Sequence, residues 1–246
     1  MCTLIRPALL LLCLLLAGCS GGQAVAPLGP RYGTQISKTA SSYVVQRGDT
    51  LYSIAWRLNI DYRSLASRNS IRSPYTIYPG QRLNIRGTPA QPVTNTPTPR
   101  TTQATASNRP SKPTPQASTG ARVSQWLWPA TGPLREQFSS ATGGNKGIDI
   151  GGRRGAKVSA AAAGQVVYAG SGLRQYGNLI IIKHNQTHLS AYAHNDSLLV
   201  SEGDQVKQGQ QIARMGSSGT DQVKLHFEIR RHGTTINPLP LLPKRP

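Results

Sequence analysis

Residues 87–122 divide this chain. They hold Pro, Thr, Ser and Gln where a folded segment would hold apolar side chains, and carry four basic residues and no acidic one. A segment with so little to bury cannot offset the entropy of ordering its backbone. It reads as an extended, partly polyproline linker, disordered along its length. The chain therefore cannot fold around one core and must build on either side of this break. Residues 43–86 are patterned as a small module. Residues 123–246 are rich in Val, Ile, Gly and Ala and long enough to bury a core of their own. Residues 19–42, rich in Gly, Ala and Ser, read as a flexible tether.

Residues 8–16 are nearly all Leu and carry no charge. The run is too short to span a bilayer and reads as the core of a signal peptide covering residues 1–18. It ends in Leu16-Ala17-Gly18-Cys19, which resembles the lipobox of bacterial lipoproteins. That resemblance implies that Cys19 takes a diacylglycerol and becomes the new N-terminus. Two or three acyl chains anchor stably where one does not. Ser20, not Asp, follows the cysteine; by similarity to Gram-negative lipoproteins this implies an outer-membrane anchor facing the periplasm. An ordinary secretory cleavage site with an incidental cysteine is the alternative. Cys2 and Cys13 leave with the leader, so the mature chain has neither a disulfide framework nor a cysteine metal site. Packed cores must supply the stability.

The formal charge is +19, from 28 basic and 9 acidic side chains, and no acidic residue falls between Tyr62 and Arg135. Such a surface attracts polyanions. An exported lipoprotein meets little nucleic acid, so nucleic acid is set aside as a partner. Anionic head groups, peptidoglycan carboxylates or an acidic protein fit better, and simple solubility is the plainer reading.

In the small module, residues 43–46 form a strand candidate and Asp49 is placed to cap a helix that begins at Thr50. Leu51, Ile54, Ala55 and Leu58 give that helix one apolar face. Asp61 is placed to cap a second helix carrying Leu65 and Ala66, and residues 82–85 form a second strand. The order is βααβ, a small α+β unit. Periodicity leaves Tyr52 and Trp56 open between core and surface. The run from Tyr43 to Ala55 with Gly48-Asp49-Thr50, then Asn69, then Tyr78-Pro79-Gly80-Gln81, resembles a LysM domain. LysM domains bind glycans containing N-acetylglucosamine, such as peptidoglycan strands. The resemblance implies a shallow sugar groove formed by Gly48, Asp49 and Thr50 with Ile71, Pro74, Tyr75 and Ile77.

Beyond residue 123, short runs at 157–161, 164–169, 177–184, 187–193, 211–215 and 225–230 alternate or run apolar between Gly-rich turns. Many short strands without a long helical period predict a mostly antiparallel, all-β domain. Three segments stand out: Asn145-Lys146-Gly147-Ile148-Asp149, Tyr192-Ala193-His194, and Lys224-Leu225-His226-Phe227-Glu228. They resemble the signature of the LytM, or lysostaphin-type, zinc endopeptidases, whose fold is a duplicated hybrid motif. That family carries a zinc-ligating His at the position of Asn145 and a catalytic His at the position of Lys224. A catalytic zinc needs three protein ligands and an open position; here only Asp149 and His226 match. An amide oxygen is a poor zinc ligand beside imidazole. An unperturbed lysine, with a pKa of about 10.4, is no base near neutrality. Lys224 is therefore expected to pair with Asp149 and to stand electrostatically for the metal, with no cofactor required. His194 reads as a retained scaffold hydrogen bond. His184, His188 and His232 lie outside the motifs and read as surface residues.

A lipobox, one LysM, a Pro/Thr-rich linker and a LytM domain without its metal site together resemble the NlpD group of murein hydrolase activators. The resemblance implies a non-enzymatic role. The altered groove would bind a periplasmic N-acetylmuramoyl-L-alanine amidase and favour its open state, promoting septal peptidoglycan hydrolysis and daughter-cell separation. The groove residues it points to are Asn145, Asp149, Tyr168, Arg174, Tyr176, His194, Lys224 and His226. A weak zinc endopeptidase and a structural tether between envelope and wall are the alternatives.

Overall fold

Thr50 starts the first helix. Its backbone is extended, and its hydroxyl accepts from the Ser53 amide at 3.0 Å while the Ser53 hydroxyl accepts from the Thr50 amide at 3.0 Å. This reciprocal capping box opens α1 (Leu51–Leu58). The sequence placed the cap on Asp49, one residue early. The Asp49 carboxylate is occupied elsewhere, accepting from the Gln46 amide, the Tyr43 hydroxyl and the Arg57 guanidinium at 2.9, 2.6 and 2.6 Å. Asp61 does cap α2 (Tyr62–Arg68), accepting from the Arg63 amide at 2.7 Å. β1 (Ser42–Val44) pairs antiparallel with β2 (Arg82–Asn84), completing βααβ. Leu51, Ile54 and Ala55 are buried together with Leu65, Ala66 and Leu83, and Leu58 packs at the edge.

The computed structural model describes residues 40–87, 123 and 125–244. The expected leader, Cys19, nearly all of the tether and the linker after residue 87 lie outside the described residues. The described residues all belong to one compact unit, Tyr32–Pro246. No helix among them is long and apolar enough to cross a membrane.

The second domain is one sheet built from β3 (Leu134–Glu136), β4 (Ile148–Gly151), β5 (Lys157–Ser159), β6 (Gly164–Gly170), β7 (Asn178–Lys183), β8 (His188–Leu198), β9 (Gln205–Val206), β10 (Gln211–Met215), β11 (Lys224–Arg231) and β12 (Thr234–Ile236). Its main path runs β3-β4-β11-β8-β7-β6-β9, with β10 joining β8 to β5 and β12 on β11. All these pairings are antiparallel. The fold class is therefore as the short alternating runs predict.

Alternation sorts the side chains onto two faces. Ile148, Ile150, Val166, Ile180, Ile182, Tyr192, Leu225, Phe227 and Ile229 turn to one side and close a core with Trp126, Val158, Ile212 and Met215. Val167, Tyr168, Leu179, Ile181, Leu189, Ala191 and Ala193 join the buried residues of the βααβ module in a second, continuous cluster. The small module is thus packed on the sheet face opposite the main core.

Candidate functional site

The register of two strands makes the site. β4 and β11 pair so that Asp149 stands directly opposite His226, and Lys224, two residues along β11, lies on the same face. Asp149 is buried. Its Oδ2 accepts from Lys224 Nζ at 2.6 Å and its Oδ1 from His226 Nδ1 at 2.7 Å. The expected Lys224–Asp149 ion pair is present. Continuing along β11, His226 Nε2 donates to Glu228 Oε1 at 3.1 Å, and Arg230 Nε donates to Glu228 Oε2 at 3.0 Å. The Tyr176 hydroxyl donates to Glu228 Oε1 at 2.8 Å.

Both imidazole nitrogens of His226 face carboxylates. Burial alone would lower its pKa, but the hydrogen bonds to Asp149 and Glu228 win and raise it to about 9. Asp149 follows the same logic with opposite sign. Burial would raise its carboxyl, yet His226 and Lys224 pull it down to about 2. Glu228 is likewise held low: burial opposes ionisation, and Arg230 and His226 more than compensate.

Gly144, Asn145, Lys146, Gln175, Tyr176, His194, His226 and Glu228 line the open pocket above this row. Asn145 Oδ1 accepts from the Gly147 amide at 3.2 Å, while its enclosed Nδ2 has no partner among the described residues. His194 breaks the alternation of β8 with a left-handed φ of 65°. That twist brings its ring to 6.0 Å from His226, and its Nδ1 donates to the Ser218 carbonyl at 2.8 Å. Burial, only partly opposed by that hydrogen bond, pushes the His194 pKa down. Gly177 makes room for the arrangement: at φ 59°, a Cβ there would stand 2.1 Å from the same Ser218 oxygen.

Of the groove residues expected from sequence, Asn145, Tyr176, His194 and His226 line the pocket, and Asp149 and Lys224 are bonded to its floor. Arg174 is exposed on the 3-10 turn Arg174–Tyr176. Tyr168 is not in the pocket. A register shift in β6 between Val166 and Tyr168 sets its ring in the cluster shared with the small module, where it is 2% exposed and its hydroxyl accepts from the Gly172 amide at 2.8 Å. Sequence reasoning passed over Glu228 and Arg230 as site members. The signal was present: Lys224, His226, Glu228 and Arg230 alternate along one strand and must share a face.

In the small module, Gly48 and Pro74 are exposed, and Thr50 and Asp49 hold the local turn. Ile71, Tyr75 and Ile77 pack against the cluster that continues onto the sheet. The Tyr75 ring meets Tyr62 edge-on at 5.3 Å, and the Lys183 ammonium of β7 stands 5.8 Å from its centroid. Of the three histidines read as surface residues, His232 is exposed. His184 is not: its Nδ1 bonds the Ala163 carbonyl, its Nε2 the Ser190 hydroxyl, and burial pushes its pKa down to about 4. His188 is half-buried beside Thr187.

These residues do not fit a zinc ion. Both Asp149 oxygens are taken by cationic side chains, and both His226 nitrogens donate to carboxylates. Among the described residues, no group of three His, Cys, Asp or Glu is placed to hold a metal.

Comparison with known proteins matches both domains to established families. The LysM domain model matches residues 43–86, and the model of peptidase family M23 matches residues 143–238. This is a LysM domain joined to an M23-type β domain. Over 95% of its length the chain is 48% identical to a Pseudomonas aeruginosa protein named lipoprotein NlpD/LppB homolog, covering 90% of that protein. It is 47% identical to the Escherichia coli lipoprotein YgeR, over 94% of this chain and 89% of that one. It is 44% identical to the Salmonella typhimurium murein hydrolase activator NlpD, over 83% of this chain and 69% of that one. The chain belongs to the NlpD/LppB family of lipoproteins.

Proposed function

We propose that this protein is a peptidoglycan-binding lipoprotein, held in the outer membrane through Cys19. Its M23-type domain cuts nothing and instead activates a periplasmic N-acetylmuramoyl-L-alanine amidase, promoting septal peptidoglycan hydrolysis and daughter-cell separation. The observation that carries this reading is the closed row Lys224–Asp149–His226–Glu228, in which every group that would serve a metal serves a neighbour. The naming of a relative as a murein hydrolase activator supports it. Above the row, Tyr176 presents an aromatic edge and Arg174 is exposed beside it, groups suited to a protein partner. On this reading the partner-contacting residues are Asn145, Arg174, Tyr176, His194 and His226, with Asp149 and Lys224 fixing the floor. The small module would hold glycan through the loops of Gly48, Asp49 and Thr50 and of Ile71, Pro74, Tyr75 and Ile77.

Dye-labelled sacculi, incubated with the soluble protein and with a purified periplasmic amidase, separately and together, test the proposal. Dye release only with both present is expected. Release by the protein alone would favour a residual endopeptidase, and sacculus binding without release under any condition would favour a structural tether.

A further inference from the structure

The LysM module sits on the face of the sheet that carries the pocket, and the contact between them is specific. The Arg230 guanidinium lies 3.5 Å over the Trp56 ring and donates to the Trp56 carbonyl at 2.9 Å. The same ring meets Tyr176, a pocket residue, edge-on at 6.3 Å. Arg63 Nη2 approaches His232 Nδ1 at 3.1 Å, and Lys183 stands over the rings of Tyr62 and Tyr75. At the turn between β11 and β12, a Cβ on Gly233 would lie 2.3 Å from the backbone of Ile60 and Asp61. Under the module lie Val167, Tyr168, Ile181, Leu189 and Ala191, an apolar strip whose Ala191 stands opposite Glu228, a pocket residue.

We infer that the LysM module is an intramolecular cover for part of the partner-binding face, and that the partner and the docked module compete for it. The inference rests on the activator reading above. Two observations carry it. Arg230, which closes the charged row at Glu228, is itself capped by the Trp56 ring and the Trp56 carbonyl. Tyr176 is shared: its ring packs on Trp56, while its hydroxyl donates to Glu228 and accepts from Arg230 at 3.3 Å. Lifting the module bares the apolar strip and frees the face of the Tyr176 ring that packs on Trp56. Activation is then limited by the fraction of molecules in the undocked state.

The test uses the mature chain with Cys19→Ser, which leaves no thiol. Gly233→Asn pushes a side chain into the Ile60–Asp61 backbone, and Asn tolerates the left-handed φ of 79° at that turn. Arg63→Cys with His232→Cys, bridged by a reducible bismaleimide, locks the module down. Gly233→Asn should reach half-maximal amidase stimulation at about tenfold less activator than wild type. The bridged chain should lose stimulation and regain it on reduction. Bridging yield should fall when Gly233→Asn is added to the cysteine pair. Equal stimulation by the bridged, reduced and wild-type chains would overturn the cover alone. Absence of stimulation by every form, bridged or open, would overturn the activator reading and this one with it.

Discussion

Arg230 and Trp56, 174 positions apart in sequence, form the tightest polar contact between the two domains. The guanidinium is 5% exposed and serves three groups at once: the Trp56 carbonyl, the Glu228 carboxylate and the Tyr176 hydroxyl. Only a planar fork with several fixed donors can do this. Arg230→Lys keeps the charge but loses the fork and the stack. It is expected to cost about 1–3 kcal/mol. Arg230→Ala leaves Glu228 buried with one cation fewer and should cost about 3 kcal/mol or more. Urea unfolding of both variants measures the order; equal losses would show that the fork and the stack, not the charge, matter at this site.

The row at the groove floor makes stability depend on pH in two directions. His226 is raised from an ordinary 6.5 to about 9, so its contribution is full below pH 6.5 and is lost as pH rises toward and through 9. Asp149 is lowered from 3.8 to about 2, so its contribution is full above pH 3.8 and is lost as pH falls through 2. His184, lowered from 6.5 to about 4, adds a further loss between those values on the acid side. Thermal unfolding from pH 6 to 9.5 should show a falling midpoint that His226→Gln flattens. A wild-type midpoint unchanged across that range would refute the protonation assigned to His226.

Zinc binding should be recoverable, but only by two changes together. Asn145→His supplies a ligand yet leaves Asp149 clamped by Lys224, and Lys224→His frees an Asp149 oxygen yet leaves position 145 an amide. Either single variant should bind zinc at least about tenfold more weakly than the double variant. Competition with a chromogenic chelator reads the difference. An Asn145→His variant that matched the double would mean that the Lys224–Asp149 pair is no barrier to metal.

The capping box is a local test of the small module. Thr50→Ala removes the acceptor for the Ser53 amide and should cost about 1 kcal/mol. Asp49→Asn keeps that cap but weakens the bond to Arg57, and should act through the Tyr43–Arg57 side instead. A double mutant whose loss equals the sum of the two would establish that cap and ion pair are independent.

Patterns that depend on neighbours in sequence were readable. The α1 stripe of Leu51, Ile54 and Ala55, the Asp61 cap and the alternating strands needed only periodicity and local hydrogen bonding. The Lys224–Asp149 pair was readable because family spacing put both side chains at one site. What failed depended on distant contacts or on backbone irregularity. Trp56 was ambiguous because its partner is Arg230 of the other domain. Tyr168 was misplaced because a shift in β6 register and a docked module together decide its surroundings. His184 looked like a surface residue because nothing local announces Ala163 and Ser190 as its partners.

The turn at Gly233 is fitted to the backbone of the first domain. The glycine's lack of a side chain is required by a backbone segment more than 170 residues earlier, at Ile60 and Asp61. A LysM unit grafted from another protein would meet this turn without having been fitted to it, and any residue but glycine here would reject the native one. The two halves are thus matched parts, and recombining them freely with other envelope modules would break the fit before it touched either fold.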